Sequence, residues 1–395
     1  MADQDVVITG IGLVSSLGEG AEAHWSALAA PGFRPNVDQT SFAPYSFHPL
    51  PEIDWNLQIP KRSDQRQMEL WQRLGTYTAG LALDDAGVKA DKDLLSRTDM
   101  IIAAGGGERD EAVDEAIMAA SKARADHDLL LNEKLTTELR PTLFLAQLSN
   151  LLAGNISIVH SVTGSSRTFM GEEGCGVTAL GTAHARIASG QSHITLVGGA
   201  FQATHRSMLL GHALGRHLHE GEWLPVWQRA SAPGGGMIAG SGGAFLVLES
   251  AEHAAGRGAR VYAQLTKVLA GRAPASNPDR AASLARLIDK ALAAEGETLV
   301  VAGASGARQA SEAERAAIAA RPGLRARALA TAIGHLQEAQ FPFAVALAAL
   351  AVSRRSALPP LESAEQAMDT KPDQAIATII GHVTGEGVAV VKAVG

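Results

Sequence analysis

The stretch "GGGMIAGSGGAFLVLESAEHAAGRGARVYAQL", residues 234–265, decides how this chain is put together. Its centre, "GAFLVLES" (243–250), is an unbroken apolar run of the kind found in a strand covered on both faces. After it, "EHAAGRGARVYAQL" leads into a new strand, so one structural unit closes and another opens near residue 255.

Outward from that point, "VVITGI" (6–11), "MIIAAGGG" (100–107), "HITLVGGAF" (193–201), "TLVVAGASG" (298–306) and "AIATIIGHVTG" (375–385) read as further buried strands ending in glycine turns. Helical segments lie between them. In "RLGTYTAGLALDDAGV", Leu74, Tyr77 and Leu81 share a face and Gly87 supplies a stop; in Val177 to Ser189, Val177, Leu180, His184 and Ile187 do so. This alternation predicts an α/β protein with mostly parallel sheets covered by helices. A weak duplication is also legible, pairing "VVITGIGLVSS" with "LVVAGASGAR" and "HITLVGGAF" with "AIATIIGHVTG".

The 395 residues, 46% hydrophobic and 19% charged, suffice for a large core. A net charge of −7 gives no general attraction to nucleic acid or anionic membranes. The start, "MADQDVVITG", is acidic where a secretory leader is positive, and no apolar run approaches the roughly 18 residues of a membrane span, so a cytoplasmic chain is expected. One cysteine, Cys175, excludes an internal disulfide framework and a Cys-rich zinc site.

Three motifs invite a ligand. "TGIGLVSSLGEG" lacks the third glycine of a dinucleotide fingerprint. "HALGRHLHE" offers His212, His217, His219 and Glu220, but with no second element to complete a metal shell it reads as a solvated loop. "GGGERD" (105–110) reads as turn and packing residues rather than an anion cradle.

Taken together, "VVITGIGLVSSLGEGAEAHWSAL" (6–28), "RQMELWQRLGTYTAGLALDDAGV" (66–88), "GQSHITLVGGAF" (190–201) and the opening stretch resemble the β-ketoacyl-acyl-carrier-protein synthases. The resemblance spans almost the whole chain. It implies a thiolase-like, five-layered α-β-α-β-α fold built from two pseudo-duplicated halves, 1–255 and 256–395, with no cofactor and no metal.

The resemblance also implies a catalytic set: a cysteine nucleophile at a helix N-terminus, two histidines and a lysine, with a glycine-rich gate. On this chain the nucleophile position falls on Glu173, the first histidine on Gly303, the lysine on Ala330 and the second histidine on His335, which alone is retained. Cys175, two residues beyond Glu173, is the alternative nucleophile or a small packed residue; His335 is either a catalytic or a hydrogen-bonded structural histidine. In "GHVTGEG", Val383, Thr384 and Gly385 stand at the gate, with Val383 in place of a phenylalanine.

Altered chemistry on a retained fold resembles the chain-length factors that pair with active ketosynthases. A non-condensing subunit is therefore expected, in a homo- or heterodimer, serving an acyl carrier protein that meets the basic residues Lys61, Arg62 and Arg66 or leaves them as a solvated loop. "MGEE" and "GHLQEAQFP" further resemble ketosynthase-like proteins of the very-long-chain lipid A acyl pathway. The alternatives are an active 3-oxoacyl synthase using Cys175 and a malonyl-carrier-protein decarboxylase using His335.

Overall fold

The computed structural model describes residues 4–107, 109–141, 143–231, 236–292 and 296–394. Glu108 of "GGGERD" and residues 234 and 235 of the opening stretch lie outside them. Ten strands carry the architecture: β1 (Val6–Ser15), β2 (Asp99–Ala104), β3 (Ser166–Met170), β4 (Ile194–Phe201), β5 (Gly242–Ser250), β6 (Ala263–Pro274), β7 (Thr298–Ala302), β8 (Leu324–Ala328), β9 (Gln374–Ile380) and β10 (Thr384–Lys392).

Their spatial order exposes the duplication. The first five run β1-β5-β4-β2-β3 and the second five β6-β10-β9-β7-β8, the same permutation shifted by five, and a short antiparallel pairing of β1 with β6 joins the two. Within each half the first two pairings along this order are antiparallel and the last two parallel. The sheets are thus half antiparallel rather than mostly parallel, because a tight turn such as residues 381–383 between β9 and β10 admits only antiparallel neighbours. The expected match of "HITLVGGAF" with "AIATIIGHVTG" holds as β4 with β9, whereas β1 corresponds to β6 and not to the strand near residue 300. Small-residue turns after two strands made them look alike; sheet position separates them.

The helices α1 (Leu70–Asp85), α2 (Leu151–His160), α3 (Glu173–Ala188), α4 (Arg206–Leu214), α5 (Arg280–Ala291), α6 (Arg308–Ala319), α7 (Ala330–Ile333) and α8 (Gln340–Ser353) fill the layers. α1 and α2 pack on the first half, α5 and α6 on the second, while α3 and α8 lie between the halves and touch strands of both. Residues 340–352 of α8 are buried without interruption, which is what an Ala-, Leu- and Phe-rich helix without a polar stripe requires. Phe341 and Phe343 are fully buried there, each worth roughly 1.5–3 kcal/mol of apolar burial.

A smaller sheet joins Asp38–Phe42, Tyr45–His48 and Ala239–Gly240. Its last member belongs to the opening glycine-rich stretch and forms a parallel bridge from Ala239 to His335. Among the described residues no helix is long and apolar enough to cross a membrane.

Candidate active centre

Glu173 is the first residue of α3 and is buried to 1% exposure. Its Oε1 accepts a hydrogen bond from His335 Nε2 at 2.7 Å, and its Oε2 accepts the backbone N–H of His382 at 3.2 Å. His382 Nδ1 stands 3.6 Å from Oε1, too far for a hydrogen bond. Burial alone would raise the Glu173 carboxyl, but His382, the His335 bond and the helix N-terminus hold it well below the usual carboxylate range. It is an anion sealed in the seam between the halves.

His335 is placed by two glycines. Gly334, after the short helix α7, has a φ of +73° with an extended ψ, a conformation that favours glycine, and a Cβ on Gly240 would stand 2.0 Å from the Ile333 carbonyl oxygen. The glycine-rich stretch therefore lets the His335 segment lie flush against it, with His335 N–H bonded to the Ile238 carbonyl at 2.9 Å and Gly240 N–H to the His335 carbonyl at 3.0 Å.

The sequence reading missed His382. It sits in the β9–β10 turn, its Nε2 paired with Ser305 Oγ at 2.7 Å, and burial pushes the imidazole down to about 3. The signal was present: Gly381-His382 repeats the Gly334-His335 pair after a buried element. Gly303, read as the position of the lost first histidine, packs against β9. A Cβ there would stand 2.8 Å from Ile379 Cγ1 and from the Thr378 carbonyl oxygen, and its N–H serves Thr378 and Glu314. From that strand end it is Ser305, two residues on, that reaches the centre. Ala330 is buried in α7 and brings no charge.

Cys175 is buried, with its Sγ–H directed to the Gly171 carbonyl at 3.3 Å. Burial, with Glu338 and Glu173 nearby, pushes its thiol up, opposite to what a nucleophile needs. Glu338, also fully buried, is pushed up to about 8 by burial and by Glu173 and Glu172, so it is protonated at neutral pH.

The histidines of "HALGRHLHE" part company. His212 meets the Gln337 side-chain amide at 2.6 Å, and His217 lies with its ring 4.9 Å from that of His382. His219 turns away to the Glu222 carbonyl, and Glu220 is exposed. Burial pushes His212 down to about 4.

A cavity of about 1160 Å³ lies beside this centre, lined by Phe169 and Met170 of β3, Cys175 and Val177 of α3, Val268 of β6, and the segment from Val383 to Glu386. Val383, Thr384 and Gly385 thus line an opening, and Val383 is half exposed. Glu173, His335 and His382 do not line it; Gly174 packs on Gly385 there, 3.3 Å from where a Cβ on Gly385 would point. Lys61, Arg62 and Arg66 are exposed on and just before a short helix, Arg62–Gln67.

A family model described as "Beta-ketoacyl synthase, N-terminal domain" matches residues 3–254. The chain is 29% identical over 273 residues to 3-oxoacyl-[acyl-carrier-protein] synthase 2 of Vibrio harveyi, covering 67% of this chain and 62% of that protein. It is likewise 29% identical over 279 residues to the synthase 2 of Rhizobium meliloti (strain 1021), covering 66% and 62%. The matches thus span somewhat under two thirds of these relatives. Among solved structures, the ishigamide ketosynthase/chain length factor superimposes with a TM-score of 0.81 at 22% identity over the full length of both chains. A type II polyketide ketosynthase structure, AntDE:AntF, does so at 0.76 and 19% over both full lengths. The fold is thiolase-like, and the chain belongs to the β-ketoacyl synthase family.

Proposed function

We propose that this chain is a non-condensing subunit that pairs with an active ketosynthase handling long acyl chains on an acyl carrier protein. One observation carries the reading: the α3 N-terminus holds a buried carboxylate bonded to His335, and the neighbouring thiol is driven toward its neutral form. A carboxylate cannot form an acyl thioester, and an imidazole whose Nε2 is tied to Glu173 is not free to assist decarboxylation. That weighs against both a Cys175 synthase and a His335 decarboxylase.

The edge of the first sheet supplies the partner surface. β3 pairs only with β2 among the described strands, and Met170 is 68% exposed. The cavity reaches this same edge, so a partner docked on β3 would share its wall. Its volume stands at the upper end of ligand pockets, as a long or very-long acyl chain demands. Lys61, Arg62 and Arg66 offer the carrier protein positive charge.

The test is assembly of the purified chain with an active ketosynthase, read by sedimentation. A one-to-one complex that weakens on Met170→Lys, a change at an exposed side chain, is expected. Two species sedimenting separately at micromolar concentration would refute the partner reading.

A further inference from the structure

We propose that Glu173, His335 and His382 form a zinc-type divalent metal site that ties the two halves of the chain together. The inference goes beyond the function proposed above and does not depend on it, and it departs from the sequence-based expectation of no metal.

The three residues are far apart in sequence and come from three elements: the N-terminus of α3, the segment after α7, and the β9–β10 turn. One ligand atom from each lies within 4.8 Å of the others, and all three residues are buried. A carboxylate with two imidazoles is a donor set that suits zinc.

The orientation of His382 is the second, independent observation. Its Nε2 is held by Ser305 Oγ, which turns Nδ1 toward Glu173; there, buried and 3.6 Å from Oε1, Nδ1 has no hydrogen-bond partner. A polar atom buried without a partner carries a desolvation penalty, and a simple Glu173–His335 pair leaves that penalty standing. A cation between the three atoms removes it. The Ser305 contact is the kind of outer bond that orients an imidazole ligand.

Binding requires the ligands to move, since the three atoms now lie within 4.8 Å of one another rather than at one common spacing. Metal–ligand bonds of about 2.0–2.1 Å in a tetrahedral shell set ligand atoms about 3.3 Å apart. The His382 Nδ1 to Glu173 separation of 3.6 Å is close to that, and the His335 Nε2 to Glu173 separation of 2.7 Å must open by several tenths of an ångström. His217 packs its ring 4.9 Å from that of His382 but is not one of the three clustered ligands, so water is left to complete the shell.

The test is Zn²⁺ binding to the full-length protein after removal of metal with a chelator, measured by competition with a chromophoric indicator. One equivalent per chain is expected, with a dissociation constant below micromolar and a raised Tm. Glu173→Gln and His382→Ala should each weaken binding at least 100-fold, and His219→Ala should leave it unchanged. Absence of saturable binding, or stoichiometric binding that survives both substitutions, would overturn the proposal. Should a variant fail to fold, Co²⁺ added to the unmodified protein decides: strong visible bands of four-coordinate cobalt are expected, and the weak bands of a six-coordinate ion would overturn it.

Discussion

His335 Nε2 lies 2.7 Å from Glu173 Oε1 across the seam between the two halves, with each side chain only 1% exposed. Removing the carboxylate leaves a buried imidazole without its partner. Glu173→Ala should therefore cost about 3–5 kcal/mol, and Glu173→Gln, which keeps an acceptor, clearly less. Urea unfolding of the metal-free protein and both variants measures the difference; equal stabilities would show that the pair carries no energetic weight.

Stability should vary with pH in a defined way. Burial pushes His24 down to about 4, His48 to about 3 and His160 to about 4, so between those values and 6.5 the unfolded chain binds more protons and stability falls as pH falls. Burial pushes Glu314 and Glu365 up to about 7 and Glu338 to about 8, so from 4.5 up to those values the folded chain binds more protons and stability falls as pH rises. The two sets oppose each other between 4.5 and 6.5 and act alone outside that window. Tm should be highest within it, declining toward pH 8, and Glu338→Gln should flatten the alkaline side. A Tm still rising from pH 6.5 to 8 would contradict this.

Gly240→Ala should destabilise the chain by about 2–3 kcal/mol or more and displace His335. Its Cβ would meet the Ile333 carbonyl oxygen at 2.0 Å, a backbone atom that cannot swing aside. Thermal unfolding checks the first part, and the His335 imidazole resonances the second.

Cys175 should react slowly. A buried thiol pushed above its ordinary range presents little thiolate, so alkylation by iodoacetamide near pH 8 should run at least 100-fold slower than for an unfolded control. Labelling at the rate of a free thiol would mean that the site opens readily.

The fold was largely legible in the sequence because its central strands are continuous apolar runs, and six of the ten were read directly. The strand Leu324–Ala328 was not, because Arg325 and Arg327 interrupt it; Arg327 is nonetheless buried, bonded to the Leu358 and Gln366 carbonyls. Ser166–Met170 was missed for a different reason: as an exposed edge it has no apolar run to read.

Of the centre, the sequence showed Glu173 and His335, which flank segments of strong family likeness. It hid His382, whose role exists only once the β9–β10 turn has closed on α3. It also assigned the family's first-histidine position to Gly303, where packing against Ile379 leaves no room for a side chain. The histidine-rich loop illustrates the same limit: His217 and His219 are two residues apart, yet one faces His382 and the other a backbone carbonyl.

The most direct test of the central claim is the intact mass of the protein after incubation with a long-chain acyl-carrier-protein thioester, with Cys175→Ser alongside. A non-condensing subunit shows no acyl adduct in either form under conditions that fully acylate an active ketosynthase. A stoichiometric adduct on the unmodified chain that vanishes in Cys175→Ser would make Cys175 a nucleophile and contradict the account.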